Sequence, residues 1–75
     1  MTERRYLIVI EGSEADGFSA YAPDLPGVAA TGATEPACGQ AMREAVEFHL
    51  EGLRDAGETI PEPSPLTAAY VDVAA

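Results

Sequence analysis

The apolar positions near the start of the chain predict a strand followed by a hairpin. Residues 5–11 are a run of large and β-branched side chains without glycine or proline, which predicts a central strand buried on both faces. Turn-forming residues fill positions 12–17. The next segment, 18–22, alternates, with Phe18 and Ala20 on one face. We therefore expect an antiparallel pair of strands here.

A shaped loop and a short strand are predicted next. Residues 23–27 contain two prolines, each of which removes a backbone hydrogen-bond donor, and they end at Gly27, which favours a positive φ. This composition predicts a loop of defined shape in place of a regular strand. Residues 28–31 then supply a third, short strand.

The pattern changes to helical spacing in the middle of the chain. Thr34 has the residue type of an N-cap, and Gly57 suits the position that closes a helix ending near Ala56. Between them, one face of the predicted helix is apolar and the opposite face is charged. The residues predicted to pack on the sheet are Cys38, Ala41, Met42, Ala45, Val46, Phe48, His49 and Leu53.

Alternation returns at the end of the chain. Residues 60–65 carry three prolines and predict an extended connection. Residues 67–73 then alternate between apolar and polar side chains, which predicts a closing strand. The whole chain, 1–75, is thus predicted to be one α+β domain of order β-β-β-α-β. It would contain a three-stranded antiparallel meander, a C-terminal strand and one helix packed on the sheet.

The charge balance narrows the possible partners. Thirteen acidic residues face four arginines, there is no lysine, and the net charge is −9. Direct nucleic-acid binding is not expected, because it depends on clustered basic residues. The charge suits a basic protein partner, although a small protein can also carry such a charge for solubility alone. With 47% hydrophobic residues, the chain is expected to fold.

The sequence gives no indication of export or membrane insertion. Its longest apolar run, residues 7–10, is far shorter than a membrane span, and no signal-type segment follows the first residues. The single Cys38 cannot form an internal disulfide. We therefore expect a cytoplasmic protein.

Residues suited to catalysis are few. Cys38 and His49 lie on the same predicted helix about 16 Å apart, too far for a nucleophile and its base. Both are expected to be packing residues. Glu44, Glu47 and Glu51 belong to the solvent face of that helix, and the first strand is apolar until Glu11. We predict no catalytic residues, no metal and no cofactor.

Several segments together resemble the HicB-type antitoxins. They are residues 6–11, 17–27, 31–34, 47–53 and 60–63, and the aromatic residue followed by Pro-Asp-Leu-Pro-Gly at 21–27 is the most specific part. The resemblance implies a reduced ribonuclease H-like fold without catalytic carboxylates. It also implies binding to a small basic HicA-type toxin that cleaves mRNA. Many members carry a C-terminal DNA-binding module, and we expect this chain to be a short form without one.

The leading hypothesis is an antitoxin-like domain that covers the RNA-binding surface of such a toxin. The candidate partner-binding residues are Phe18, Tyr21, Asp24, Leu25 and Pro26. For Phe18, Leu25 and Pro26 an equally good interpretation is loop shape and core packing. The alternatives for the whole chain are an orphan oligomeric scaffold without a toxin and a metal-dependent nuclease that uses Glu11. Because so small a core leaves strand edges unpaired, we expect a homodimer or a higher homo-oligomer.

Overall fold

The protein folds as a three-stranded sheet followed by one long helix. The computed structural model describes residues 3–75; the first two residues of the predicted domain lie outside the described part. The elements are β1 (Val9–Ser13), β2 (Gly17–Tyr21), β3 (Ala29–Gly32) and α1 (Glu35–Asp55). The strands are antiparallel and lie in the order β1-β2-β3. The prediction of an α+β meander followed by a helix is confirmed.

The first strand begins later than predicted. Val9 pairs with Tyr21 and Ser13 pairs with Gly17, so β1 extends through the glycine at position 12. The turn occupies residues 14–16 and is held by the backbone N–H of Asp16, which donates to Ser13 Oγ at 3.2 Å. Because β2 ends at Tyr21, residues 5–8 have no ladder partner in this chain.

The predicted central position of the first strand is wrong for the single chain. Among residues 3–75, the only strand beside β1 is β2, so β1 lies at one edge of the sheet. The apolar side chains of residues 7–10 are half-buried, not buried on both faces. An apolar edge strand of this kind has one side still open for pairing.

The central strand is β2, and its two faces differ as the alternation predicts. Ala20 and Ala22 are buried and Phe18 packs against the core, whereas Ser19 and Tyr21 are exposed. This part of the prediction is confirmed.

The third strand forms one residue later than predicted. It covers Ala29–Gly32, and Val28 precedes it as a buried residue. Gly27, just before, has the expected positive φ of +87°. The turn therefore uses one more residue than the sequence pattern indicates.

Both ends of the helix are placed as predicted. Thr34 is the N-cap, and its Oγ1 accepts a hydrogen bond from the Ala37 backbone N–H at 3.2 Å. Ala56 is the C-cap, and Gly57 follows with a φ of +71°. These contacts satisfy backbone groups that a helix cannot pair within itself.

The apolar face of the helix is buried only in its first half. Cys38 and Met42 are fully buried between α1 and the sheet, and α1 packs mainly on β3 and then on β2. The prediction for Phe48 is wrong, since this side chain is 79% exposed. A helix of 21 residues is about 31 Å long, whereas strands of five residues span about 17 Å, so the helix is longer than the strands on which it packs. Val46 and Leu50 still pack against the core from its second half, although they are only half-buried.

The predicted closing strand is not formed within the chain. Residues 58–75 contain no helix or strand. We call residues 60–66 the linker and residues 67–75 the tail. The tail projects into solvent with Tyr70, Val71 and Val73 exposed, and the molecule measures 49 × 27 × 21 Å. A strand needs an edge to pair with, and among residues 3–75 the strand pairs are β1 with β2 and β2 with β3, so the tail pairs with neither edge.

Candidate partner-binding surface

The loop between β2 and β3 folds around one buried side chain. The Leu25 N–H donates to the Ala22 carbonyl at 3.1 Å, and the Val28 N–H donates to the Leu25 carbonyl at 3.2 Å. Leu25 itself is 1% exposed and belongs to the core. Two successive turns therefore fix the loop, and Leu25 holds it against the body of the protein.

The Asp24 side chain ties this loop to the linker. The Ser64 hydroxyl donates to Asp24 Oδ1 at 2.6 Å, and the Ser64 backbone N–H donates to Asp24 Oδ2 at 2.8 Å. Both bonds lower the pKa of the Asp24 carboxyl from its ordinary value, because they favour its charged form. The bond from the Ser64 hydroxyl has the larger effect, and the bond from the Ser64 N–H the smaller. Both carboxylate oxygens are thus occupied by a residue 40 positions later in the chain.

The five predicted partner-binding residues do not share one environment. Tyr21 is 46% exposed and Pro26 is also exposed, whereas Asp24 is half-buried. Phe18 and Leu25 point into the core side of the sheet and loop, in agreement with their alternative interpretation as packing residues. Partner binding by this set stays a prediction.

Tyr21 lies on a sheet face that the helix does not cover. The cross-strand partners of Tyr21 are Val9 on β1 and Ala29 on β3, and those of Ser19 are Glu11 and Thr31. Directly paired residues point to the same side of a sheet. We call this surface the outer sheet face; its residues are Val9, Glu11, Ser19, Tyr21, Ala29 and Thr31. Residue alternation identified Tyr21, but only the strand register shows its neighbours.

A second surface is a groove between the start of the chain and the C-terminal half of α1. It has a volume of about 690 Å³. Its apolar lining comes from Tyr6, Ile8, Val46, Leu50 and Ile60. Arg4, Arg43 and Arg54 line it together with two glutamates. The sequence pattern does not indicate this groove, because the hydrophobic run of residues 5–11 predicts a strand that is paired along its whole length.

The residues suited to nucleophilic chemistry lie apart. Cys38 is fully buried, and its thiol is directed at the Ala30 carbonyl, 3.9 Å away. His49 is half-buried further along the same helix. Within residues 3–75, no three His, Cys, Asp or Glu side chains are gathered in a way that could hold a metal ion.

None of the helices among residues 3–75 has the length and apolar character that crossing a membrane requires.

Comparison with known proteins identifies the family. The family described as HicB-like antitoxin of bacterial toxin–antitoxin systems matches residues 6–73. This chain is a HicB-like antitoxin family member. The resemblance inferred from the sequence is confirmed, and the match includes β1 and residues 67–73 of the tail.

A curated relative of this HicB-like chain comes from a bacteriophage. It is described as an uncharacterized 14.9 kDa protein in the rep-hol intergenic region of Haemophilus phage HP1, and it is 34% identical over 61 residues. The match covers 81% of this chain and 45% of the relative, so the chain spans less than half of that protein's length. No solved structure matches the chain.

Proposed function

We propose that this HicB-like chain is a non-enzymatic antitoxin of the cytoplasm. It neutralises a small basic HicA-type toxin by covering the surface with which the toxin binds the mRNA that it cleaves. The observation that carries the proposal is the family match over residues 6–73. The net charge of −9 supports it, because acidic side chains can occupy the sites that RNA phosphates would take. Residues 1–75 act as one binding unit.

The proposed contact surface is the outer sheet face with the adjoining loop. Tyr21 is its aromatic anchor, since large amphipathic side chains contribute much of the binding free energy at interfaces. Pro26 contacts the toxin from the loop. Leu25 and Phe18 do not contact the toxin; they pack in and against the core and so fix the loop and the strand. Asp24 holds the loop to the linker through its hydrogen bond with Ser64.

Some of the glutamates are already paired with arginines, which leaves the net acidic charge unchanged. Arg4 pairs with Glu62 at 3.2 Å, and Arg43 pairs with Glu47 at 3.7 Å. These two arginines line the groove. Glu11, on the outer sheet face, therefore presents its charge to a basic partner with no arginine beside it in the strand pairing.

The test is neutralisation of the toxin. The chain is expressed with a small basic protein encoded beside it, and RNA cleavage by that protein is measured with and without the chain. We expect cleavage to stop at a 1:1 ratio. Tyr21→Ala should weaken the complex at least about 30-fold, because truncating an aromatic anchor costs about 2 kcal/mol or more.

Phe48→Ala is the matched control, since Phe48 is an exposed aromatic residue on the helix. It should leave neutralisation unchanged. Loss of neutralisation in Phe48→Ala but not in Tyr21→Ala would place the toxin on the helix and contradict the proposed surface. Failure to bind any basic partner would contradict the antitoxin function.

We also propose that the chain self-associates as a homodimer or a multiple of one. The exposed apolar tail and the open edge of β1 support this. The second candidate function is that of an orphan scaffold, which self-associates but has no toxin partner. A ribonuclease H-like arrangement stays a prediction, because it requires a fourth strand in the sheet. Light scattering at micromolar concentration tests self-association, and a monomer would contradict it.

A further inference from the structure

The tail has the pattern of a strand but no partner in its own chain. Ala69, Val71 and Val73 alternate with Tyr70 and Asp72. Val71 is 80% exposed, and the two flanking apolar positions of the alternation are exposed as well. An alternating segment with exposed valines is suited to lie on a sheet edge with one face against an apolar surface.

The acceptor for such a strand is present on the same molecule. Residues 5–8 lead into β1 without a ladder partner, so their backbone groups are free to pair. Beside them lies the groove, with Ile8, Val46 and Leu50 in its lining. A strand laid along residues 5–8 would point every second side chain into that groove.

The linker carries the tail away from its own groove. Ile60 lines the groove, and the Tyr6 hydroxyl donates a hydrogen bond to the Pro61 carbonyl. The linker then reaches Asp24, where Ser64 is bound through both its hydroxyl and its N–H. It thus crosses the end of the sheet from β1 towards the loop after β2. The tail follows two residues after this anchoring point at Ser64.

We propose that two copies of the chain exchange tails reciprocally. The tail of each copy forms a fourth strand beside residues 5–8 of the other, with Ala69, Val71 and Val73 in the groove. This inference rests on the self-association proposed above and specifies its interface. A two-fold axis closes the exchange, because each copy provides one donor strand and one acceptor edge. Closure also pairs the backbone of residues 5–8 in both copies, which would otherwise remain open to uncontrolled pairing.

Charge favours a second copy over a basic toxin as the occupant of the groove. Three of the chain's four arginines line the groove, against two glutamates. The ion pairs of Arg4 and Arg43 leave the groove close to neutral, so it offers a basic protein no acidic surface. Its apolar lining suits the uncharged side chains that the tail would insert. The toxin and the second copy are therefore assigned to different surfaces of the antitoxin.

The first test compares dimer dissociation constants by analytical ultracentrifugation of the full chain. Val71→Asp places a charge in the proposed groove contact but on a side chain that is exposed in the single chain, so the fold should be retained. We expect the dissociation constant to rise at least about 100-fold, because each dimer buries two such valines. Tyr70→Ser, on the opposite face of the tail, is the control and should change it by no more than a few-fold. Circular dichroism verifies the fold of both variants.

Hydrogen exchange of the full-length protein locates the contact. Above the dissociation constant, backbone amides in residues 5–8 and 67–73 should both be protected, and both should lose protection in Val71→Asp. Protection of the tail without residues 5–8 would overturn the proposal in favour of tails that pair with each other. An unchanged dimer in Val71→Asp would overturn the tail exchange while leaving self-association intact. A wild-type monomer at all concentrations would overturn both.

Discussion

Asp24 shows how a single carboxylate can organise a distant part of this protein. It lies in a loop that the sequence pattern associates with partner binding, yet both its oxygens accept hydrogen bonds from Ser64. The bonds are short and one donor is a backbone N–H, so the linker is fixed in direction as well as position. A residue of the loop thereby determines where the tail leaves the body of the protein.

The Asp24–Ser64 bonds predict a specific acid response. The pKa of Asp24 is lowered in the folded protein, so its contribution to stability is complete above the ordinary pKa of 3.8 and is lost as the pH falls through the lower folded value. Carboxyl chemical shifts should therefore show Asp24 titrating below 3.8. Ser64→Ala keeps the N–H but removes the hydroxyl, and should move the midpoint back towards 3.8. A midpoint unaffected by this substitution would contradict the assignment of the hydroxyl as the main cause.

Two glycines near the helix start predict opposite effects of adding a methyl group. At Gly39, a Cβ would lie 3.8 Å from Ile10 Cδ1, which is an ordinary contact. Gly39→Ala should raise the free energy of unfolding by up to about 1 kcal/mol, because alanine favours a helix. At Gly32, a Cβ would lie 2.5 Å from the Cys38 backbone nitrogen. Gly32→Ala should lower stability by about 1–3 kcal/mol through this overlap.

Urea denaturation of both glycine variants measures the difference. Equal effects would show that close packing of β3 on α1 at Gly32 does not govern stability there.

At the scale of elements, the N-cap governs how the helix begins. Thr34 satisfies an N–H at the first turn, which lies directly after β3 and next to the buried Cys38. Thr34→Ala should lower the free energy of unfolding by about 1 kcal/mol, whereas Thr34→Ser keeps the acceptor and should cost little. Thermal denaturation followed by circular dichroism gives both values. A serine variant as unstable as the alanine variant would mean that the threonine methyl group, not the cap, is the source of stability.

The sequence predicted those elements that local chemistry determines. Thr34 and Gly57 mark the helix ends, and alternation around Ala20 marks the faces of β2. The predicted bounds of the first strand are wrong because the hydrophobic run of residues 5–11 indicates burial but does not identify the element that buries these side chains. Pairing in the single chain is set by the turn at 14–16, so β1 covers Val9–Ser13 instead.

The candidate site was predictable only in part. The exposure of Tyr21 follows from strand alternation. The alternative interpretation of Leu25 as a packing residue follows from its apolar side chain, and Leu25 is buried. The hydrogen bonds from Ser64 to Asp24 join positions 40 apart, and no local pattern signals them. Phe48 was assigned to the packed face because periodicity does not reveal that the helix is longer than the sheet beneath it.

At the scale of the whole molecule, the charge of −9 predicts how a toxin is captured. Association with a basic partner should be fast at low salt, and the association rate constant should fall by about ten-fold or more at high ionic strength. Stopped-flow mixing over a salt series measures this slope. Glu11→Gln, on the outer sheet face, should reduce the rate constant more than Glu44→Gln on the helix. The reverse order would place the encounter surface on the helix.

The location of the core within the chain determines what the tail can do. Within residues 3–75, the buried hydrophobic residues lie between Ala20 and Met42, so release of the tail leaves them packed. Dissociation of the dimer is then separate from unfolding, and the folded monomers can exchange between dimers. A cell that carries two related copies, each with a matching groove and tail, would form mixed pairs as well as matched ones. Each mixed pair would present two different outer sheet faces, and so could bind two different toxins at once.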